Sequence, residues 1–532
     1  MSVVTIQVGQ CGNQLGASLF QALHDHAHQP PADGGGTAGT DWERARAACR
    51  RTFFRDGGVA RAVIVDTEPK VIQRITATRG GGGGGGGGRG EGGRTKAGDG
   101  GDAGSGEEGG RHDDDYRQGS RKPGAAGAKG RVGKGGVGGE GWRYDRGTQV
   151  CCHAQGGAAN NWAYGYHAHG ATFAEACLEG VRRETERCDR LAGVCILHSL
   201  AGGTGSGLGT RLTEALRDEV PSAFLLNTVV CAHSSGEVIL QNYNTLFTLS
   251  KLAKCSDGVL VVENESATAV CQKLLRLERP SHADLNRVIC DSLGSTSLSA
   301  IKSAATSPPS PYPSRGRACP SAGGWGPERG TLLHLGDKLA HLCPNKDFIF
   351  LRASVVPQIP DGSRAFTTNT WEALTRRAYQ MHITGATAEL ELDWRKKASY
   401  GAGAAVGLNQ SVASLLTFHG TPVGSSSAVG PPSPAPPTGF RSRALYAGWS
   451  AAPFMECHSP LRLHGHDRAL SLLSNSQQAV LGVLETTVGR SRGMYAAGAY
   501  VHQYARFGAE RDDFEEAFLD VGQAVENYRS LG

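Results

Sequence analysis

Apolar runs that alternate with amphipathic stretches fill the first part of the chain. Residues 3–8 are rich in β-branched side chains and stop at Gly9, and they predict a strand followed by an amphipathic helix over about 11–24. Residues 191–197 predict a buried strand, and residues 208–220 predict the helix after it. Strand–glycine–helix units of this kind are typical of a doubly wound α/β domain.

The same periodicities predict further elements along the rest of the chain. Apolar runs bounded by polar or turn-forming residues indicate strands, and apolar positions three or four apart indicate helices. The predicted strands cover 62–69, 223–230, 259–262, 347–355, 411–418 and 478–484. The predicted helices cover 172–187, 238–253, 264–276, 284–301, 331–344, 370–379, 486–500 and 509–531.

Composition marks segments that do not fit this pattern. From about 77 to 147 the chain is Gly-rich, with nine consecutive glycines at 80–88. Such a segment cannot bury enough apolar surface to offset its ordering entropy, so we expect it to be disordered. Pro, Ser and Gly dominate 307–330 and Pro and Ser dominate 425–438, which predicts exposed loops.

Charge and cysteine usage narrow the class of protein. The net charge of +5 is modest and unclustered, so nucleic-acid binding is not expected. The fourteen cysteines show no repeated metal spacing, and with no secretory leader they indicate reduced thiols in a cytosolic protein. No apolar stretch approaches the ~20 residues that cross a bilayer, so no membrane insertion is expected.

One glycine-rich loop carries the clearest chemistry. It lies between the strand predicted at 191–197 and the helix predicted at 208–220, where bare N–H groups and the positive helix end suit a phosphate. It lacks the lysine of a Walker loop, and it lies too deep in the chain for a dinucleotide fingerprint. On the loop alone, a turn that binds nothing remains an alternative. Its candidate residues are Ser199, Ala201, Gly202, Gly203, Thr204, Gly205, Ser206 and Gly207.

Two carboxylates end the strand predicted at 62–69. Asp66 and Glu68 would lie at the carboxyl edge of a parallel sheet, where such sheets bind ligands. Mg²⁺ held by one or two carboxylates, waters and phosphates is a natural use of this arrangement. The alternative is a strand end whose acids are simply solvated.

The glycine-rich loop resembles the signature loop of tubulins, Gly-Gly-Gly-Thr-Gly-Ser-Gly, with Ala201 in place of the first glycine. Further tubulin-like stretches are 8–14, 160–163 and 242–244. Segments 158–166, 237–244 and 502–508 are most similar to delta-tubulins. Outside the low-complexity insertions, the resemblance covers most of the chain.

This resemblance implies a domain organisation. We expect a doubly wound α/β GTP-binding domain over 1–302 and an insertion over 303–330. A smaller α+β intermediate domain over 331–457 and C-terminal helices over 458–532 would follow. The implied cofactors are GTP or GDP and Mg²⁺, with Asp66 and Glu68 near the phosphates and the metal.

The resemblance also assigns individual residues to the nucleotide. The phosphates and base would lie near the start of the first helix, and Asn160 would donate to the γ-phosphate. A ribose-binding acid falls at Glu237, and the tubulin glutamate four positions later is Gln241 here. The nucleotide-binding set therefore adds Gln10, Cys11, Gln14, Asn160, Glu237, Asn264, His282 and Asn286 to the loop residues.

Guanine would be selected by two amides, those of Asn264 and Asn286. An asparagine can accept from guanine N1–H and N2–H₂ while donating to O6, a pattern that adenine cannot match. An unmatched buried polar group costs roughly 1–3 kcal/mol, so an ATPase is the weakest alternative. His282 falls where many tubulins stack a tyrosine on the base. Taken singly, each asparagine could instead be a helix cap.

A catalytic acid is implied in the short helix within 331–344. Counting back from Pro344, Asp337 falls at the position of alpha-tubulin's catalytic glutamate, which serves the nucleotide of a neighbouring subunit. Our hypothesis is that Asp337 orients or deprotonates the attacking water in trans. The alternative is an exposed helix acid paired with Lys338 or solvent.

Two classes of function follow from the resemblance. The first is a specialised microtubule subunit that assembles with other tubulins in the cytoplasm and cytoskeleton, at centrioles, basal bodies and cilia. The second is a structural subunit or assembly factor in which GTP only stabilises the fold or an interface. A third possibility is a bacterial filament-forming relative of tubulins, which shares the loop. That relative lacks the long C-terminal helical part that this chain has.

Overall fold

The computed structural model describes most of the chain. The described residues are 1–28, 39–77, 141–151, 157–234, 236, 238–298, 300–302, 332–367, 369–396, 408–420, 438–463 and 465–531. The bodies of the insertions expected at 77–147 and 303–330 lie outside this set, as do 421–437 and Glu237. The described residues on both sides of the 78–140 gap belong to one compact unit.

Within the described residues, twelve strands form one sheet and β2 pairs with β3 separately. Strands of the first half are buried on both faces, as expected for runs rich in Val, Ile and Leu. The strands are β1 Ser2–Val8, β2 Phe54–Arg55, β3 Val59–Ala60, β4 Ala62–Asp66, β5 Gln149–Cys151, β6 Leu191–Ser199, β7 Phe224–Cys231, β8 Gly258–Glu263, β9 Ala300–Lys302, β10 Leu332–Leu333, β11 Phe350–Val356, β12 Ser411–Gly420, β13 Phe454–Ser459 and β14 Arg468–Ser476.

Helices cover both faces of this sheet. They are α1 Gly9–His28, α2 Gly39–Phe53, α3 Pro69–Ala77, α4 Gly170–Thr185, α5 Gly209–Glu219, α6 Gln241–Cys255, α7 Asn264–Ala269, α8 His282–Ser297, α9 Leu335–Leu342, α10 Trp371–Thr384, α11 Gln477–Ala496, α12 Val501–Ala505 and α13 Arg511–Arg529. Among the described residues, none of these helices is long and apolar enough to cross a membrane.

The strand order confirms the doubly wound α/β class. The parallel part runs β8-β7-β6-β1-β4-β5, so the chain moves outward from β1 on one side and then returns to its other side. The order therefore reverses beside β1, and ligands bind at such a switch point in open α/β sheets. The loops after β1 and β6 lie there.

The second half continues the same sheet with mixed pairing. Strand β11 is parallel to β8 and antiparallel to β14, and β12 pairs with β14 and β13. Helices α11 and α13 pack on each other and on α6. One sheet continues through both halves, so the strands do not mark separate domains at 302 and 457. The domain boundaries at these positions therefore stay predictions.

The strand predicted at 478–484 is wrong. These residues belong to α11, and the strand before them is β14, which ends at Ser476. Val480 and Leu484 lie one helical turn apart and are both 1% exposed, so they bury one helix face. A short apolar run cannot by itself distinguish a strand from a buried helical turn.

The described ends of the segment expected to be disordered, 77–147, are folded, so that prediction is wrong at both ends. Helix α3 extends to Ala77, and the chain packs again from residue 141. Trp142 is 5% exposed, and its ring lies 5.6 Å from the Phe20 ring. The helix expected over 284–301 likewise ends at Ser297, before β9.

Candidate functional site

The loops after β1 and β6 touch each other directly. Gly9 has a φ of +72°, and a Cβ there would lie 3.1 Å from the Gly205 nitrogen. A Cβ on Gly12 would lie 2.1 Å from the Leu197 carbonyl oxygen, which is well inside van der Waals contact. Glycine is therefore required where α1 crosses the signature loop.

The signature loop is closed on one side and open on the other. It ends in the π-helical turn Thr204–Leu208, which leads into α5. A Cβ on Gly203 would lie 2.4 Å from the Ala158 oxygen, and one on Gly207 would lie 2.2 Å from the Trp162 oxygen. At Gly202 a Cβ would meet only the Asn160 amide oxygen, at 3.9 Å. A ligand can therefore approach the backbone at Gly202.

The hydroxyls of this loop hold its shape. Ser206 is fully buried, and its hydroxyl and N–H both donate to the Gly202 carbonyl. The Thr204 hydroxyl pairs with that of Thr67 at 2.9 Å, and the Ser199 hydroxyl accepts from the Ala201 N–H at 3.1 Å. Anion binding would thus rest on the N–H groups that this loop leaves free.

Asp66 lies at the carboxyl end of β4 and is 3% exposed. Its carboxylate accepts from the Glu68 N–H and from the Asn13 amide, each at 3.1 Å. Burial raises the pKa of the Asp66 carboxyl, although these hydrogen bonds act against the rise. A buried carboxylate beside a phosphate-type loop is the oxygen donor that a divalent cation requires.

Glu68 completes the pair of carboxylates predicted for Mg²⁺. It is exposed, and its Oε1 lies 3.4 Å from where a Cβ on Gly157 would stand. The buried Asn13 Oδ1 has no hydrogen-bond partner among the described residues, so one hydrogen-bond acceptor is unsatisfied beside Asp66. No group of three or more metal-binding side chains occurs in the described part. Asp66 and Glu68 therefore fit a cation that also takes ligands from phosphate and water.

The predicted residues of α1 lie in its first two turns, and α1 begins against the signature loop at Gly9. Gln10 is exposed, and Cys11 and Gln14 are half-buried. Burial raises the pKa of the Cys11 thiol to about 12, so it stays neutral at physiological pH. These side chains can offer amide groups and an uncharged thiol to a ligand.

The three base-binding candidates lie at the starts of two helices that pack together. Asn264 is the first residue of α7, after the N-cap Glu263, and His282 is the exposed first residue of α8. Asn286 lies one turn further along α8, whose N-cap is Ser281. Neither asparagine is a helix cap in this fold, so the capping alternative is removed.

The ribose side is described only in part. Glu237 lies outside the described residues. Gln241, at the start of α6, donates to the His233 carbonyl at 3.3 Å. This hydrogen bond therefore holds the segment after β7 against the start of α6.

Asp337 and the signature loop lie at opposite ends of the parallel strands. Helix α9 packs on the starts of β6 and β7, since a Cβ on Gly336 would lie 2.6 Å from the Phe224 ring. The loop follows the other end of β6, which has nine residues and is therefore ~30 Å long. Asp337 is exposed and accepts from the His334 N–H at 2.8 Å. It cannot serve the loop of its own chain.

The pairing of Asp337 with Lys338 is not what the structure shows. Lys338 is 3% exposed and turns inward. Its ammonium donates to the Ser295, Thr296 and Leu298 carbonyls at 3.3, 2.8 and 2.9 Å, so it stabilises the carboxyl end of α8.

Sequence reasoning gave no role to Asn244, although it is central to the site. This residue of α6 is fully buried. Its amide nitrogen donates to the Asn160 carbonyl at 2.8 Å and the Ala201 carbonyl at 2.6 Å. Ala159 and Asn160 have φ values of +47° and +52°, which non-glycine residues adopt rarely, and Asn244 helps to hold them there. The available signal was an asparagine among the apolar positions of an amphipathic helix.

Comparison with known proteins identifies the family. The family described as Tubulin/FtsZ family, GTPase domain, matches residues 2–99 and 143–272. The chain is 31% identical to the tubulin delta chains of Mus musculus and Homo sapiens, with the whole of each chain covered. It is 28% identical to the tubulin beta chain of Porphyra purpurea over 54% of this chain and 50% of that one. The chain belongs to the tubulin family, and over its full length it is similar to the family's delta chains.

Proposed function

We propose that this protein is a GTP-binding subunit of a specialised microtubule structure. The observation that carries the proposal is the loop at the switch point, where the backbone around Gly202 is open and Thr67, the neighbour of the buried Asp66, hydrogen-bonds Thr204. The start of the π-helical turn Thr204–Leu208 suits the phosphates, and Asp66 with Glu68 suits Mg²⁺.

Residues from the other loops complete the proposed site. Gln10, Cys11 and Gln14 would contact the phosphates and base, and Asn160 would donate to the γ-phosphate. Asn264 and Asn286 would read guanine and His282 would stack on it. Glu237 would bind the ribose. Support comes from the family and from the packing of α8, which carries His282 and Asn286, on α1.

The assembly context is proposed from the delta chains. Full-length similarity to them supports assembly with other tubulins, in centriole and basal-body triplet microtubules and in cilia. Hydrolysis would need Asp337 of a neighbouring subunit, because this acid lies at the far edge of the sheet.

A second candidate is a subunit that binds GTP without hydrolysing it. The same geometry favours it for the isolated chain, since Asp337 is ~30 Å from the signature loop. GTP would then stabilise the fold or an interface only.

The proposal is tested by displacement of a fluorescent guanine nucleotide with GTP and with ATP. We expect GTP to compete far better than ATP. Asn264→Ala and Asn286→Ala should each weaken GTP by about 5- to 150-fold, the equivalent of 1–3 kcal/mol for an unmatched buried group, and leave weak ATP binding unchanged. Equal competition by the two nucleotides would refute the assignment of the base site.

A further inference from the structure

The Asn244 amide satisfies all its hydrogen-bonding valences with four partners that belong to three segments. Besides its two donor bonds to Asn160 and Ala201, its Oδ1 accepts from the Trp162 N–H at 2.8 Å and from the Tyr504 hydroxyl at 2.6 Å. The first three partners belong to the two phosphate-side loops. The fourth belongs to α12, 260 residues further along the chain.

A stack of aromatic rings also connects the loop after residue 157 with α12. The Tyr166 and Trp162 rings lie 4.4 Å apart and nearly parallel, and the Trp162 and Phe247 rings lie 4.8 Å apart. The Phe247 and Tyr504 rings follow at 5.6 Å. Stacked and fully packed rings transmit displacement because a dense core has little free volume to absorb it.

The segment that Tyr504 anchors reaches the surface. We call residues 499–508 the α12 segment. Its Gln503 carbonyl accepts from the Asn161 amide at 3.3 Å, and its Ala499 carbonyl accepts from the Tyr243 hydroxyl at 3.1 Å. His502 and Arg506 are exposed on its outer side. One short segment therefore contacts the loop after residue 157 and also faces solvent.

We propose that Asn244 is a positioning residue that couples nucleotide occupancy to the conformation of the α12 segment through the Tyr504 hydroxyl. The inference rests on the proposed nucleotide site. A triphosphate that draws in the N–H groups of the two loops moves the Ala201 and Asn160 carbonyls. Both carbonyls bind one amide, so their movement shifts the acceptor that Tyr504 uses.

The coupling works in both directions. If nucleotide stabilises one position of the α12 segment, a partner that holds that position must tighten nucleotide binding by the same factor. A partner that binds the exposed side of the α12 segment would then bind differently when the site holds a nucleotide.

The test compares two tyrosines that join α6 and the α12 segment. Tyr504→Phe removes the hydroxyl bound to Asn244 and keeps the ring. Tyr243→Phe removes the hydroxyl of a second fully buried tyrosine, which forms a part-buried bond to Ala499 and does not contact Asn244. The measurements are the dissociation rate of fluorescent GDP and hydrogen exchange of residues 499–508 with and without GDP.

In the native protein we expect GDP to slow hydrogen exchange in the α12 segment. Tyr504→Phe should abolish that slowing and raise the GDP dissociation rate by about three- to tenfold, the range of one net hydrogen bond. Tyr243→Phe should change the dissociation rate less than about twofold, because its hydroxyl has no bond to Asn244. Tyr504→Phe also removes a weaker contact of 3.3 Å between the hydroxyl and the Leu240 carbonyl.

Two outcomes would overturn the coupling: equal effects of the two variants, or native exchange that does not respond to bound GDP. A native protein that binds no GDP at all would overturn the proposed function instead. The native exchange measurement needs no variant, so it decides the matter even where Tyr504→Phe folds poorly.

Discussion

At the scale of single residues, the candidate site depends on buried polar atoms that a ligand would satisfy. Asp66 is the clearest case, because it is ionisable, 3% exposed and placed beside the signature loop. Its raised pKa means that the ionised carboxylate destabilises the nucleotide-free fold. Such a penalty is reversed when a cation binds the carboxylate.

Replacement of Asp66 by asparagine should therefore have two opposite effects. The folded-state pKa lies above the unfolded one, so the native stability falls as pH rises through the folded-state pKa. At neutral pH, Asp66→Asn should raise the thermal unfolding temperature of the nucleotide-free protein. It should weaken Mg²⁺-dependent GTP binding about tenfold or more, which corresponds to ~1.4 kcal/mol.

The matched control is Asp56→Asn, which changes an exposed acid outside the site. It should alter neither quantity. A lower unfolding temperature for Asp66→Asn, with Mg²⁺ dependence intact, would contradict the metal assignment.

Sequence identified the residue types of the site but not their partners. Carboxylates at a strand end and glycines before a helix are local patterns, so Asp66 and the signature loop were predictable. Asn244 was not, because its four bonds join segments up to 260 residues apart. Hydroxyl orientation was equally hidden, since the inward turn of Ser206 follows from the loop closing on Gly202.

At the scale of elements, the glycines of this chain differ in how much space surrounds them. In α11, a Cβ on Gly489 would meet nothing within 4 Å, and the same holds for Gly482 and Gly493. In the π-helical turn of the signature loop, a Cβ on Gly207 would lie 2.2 Å from a backbone oxygen. Glycines and β-branched residues also obscured the helical start of α11 in the sequence.

Gly489→Ala and Gly207→Ala should thus shift stability in opposite directions. Alanine at 489 removes backbone entropy from the unfolded chain and should raise the free energy of unfolding by about 0.5–1 kcal/mol. Alanine at 207 must displace Trp162 and should lower it by about 1–3 kcal/mol. Urea unfolding followed by circular dichroism measures both. A stabilising Gly207→Ala would show that the loops do not pack as described.

At the scale of the whole molecule, one sheet places the two sets of candidate residues at opposite ends of its parallel strands. The signature loop and Asp66 lie at the carboxyl ends of the strands, and α9 with Asp337 lies at the opposite ends. Subunits stacked end to end would bring the acid of one chain to the loop of the next. The doubly wound α/β class follows from periodicity, whereas the placement of Asp337 required the three-dimensional packing of Gly336 on Phe224.

Asp337→Ala should accordingly affect hydrolysis only in the assembled state. We expect unchanged GTP binding by the isolated chain and about a hundredfold slower hydrolysis in the presence of alpha/beta-tubulin, the usual contribution of a positioned base. Asp347→Ala, an exposed acid after the same helix, is the control and should leave hydrolysis unchanged. Equal hydrolysis by all three proteins would contradict the role of Asp337, and no hydrolysis by any of them would favour the non-hydrolysing structural subunit.

The most direct test of the account is the identity of the bound nucleotide. The protein is purified without added nucleotide and denatured, and the released compound is identified and counted by chromatography. The account predicts about one guanine nucleotide per chain. An adenine nucleotide, or an empty site that fails to take up GTP, would contradict it.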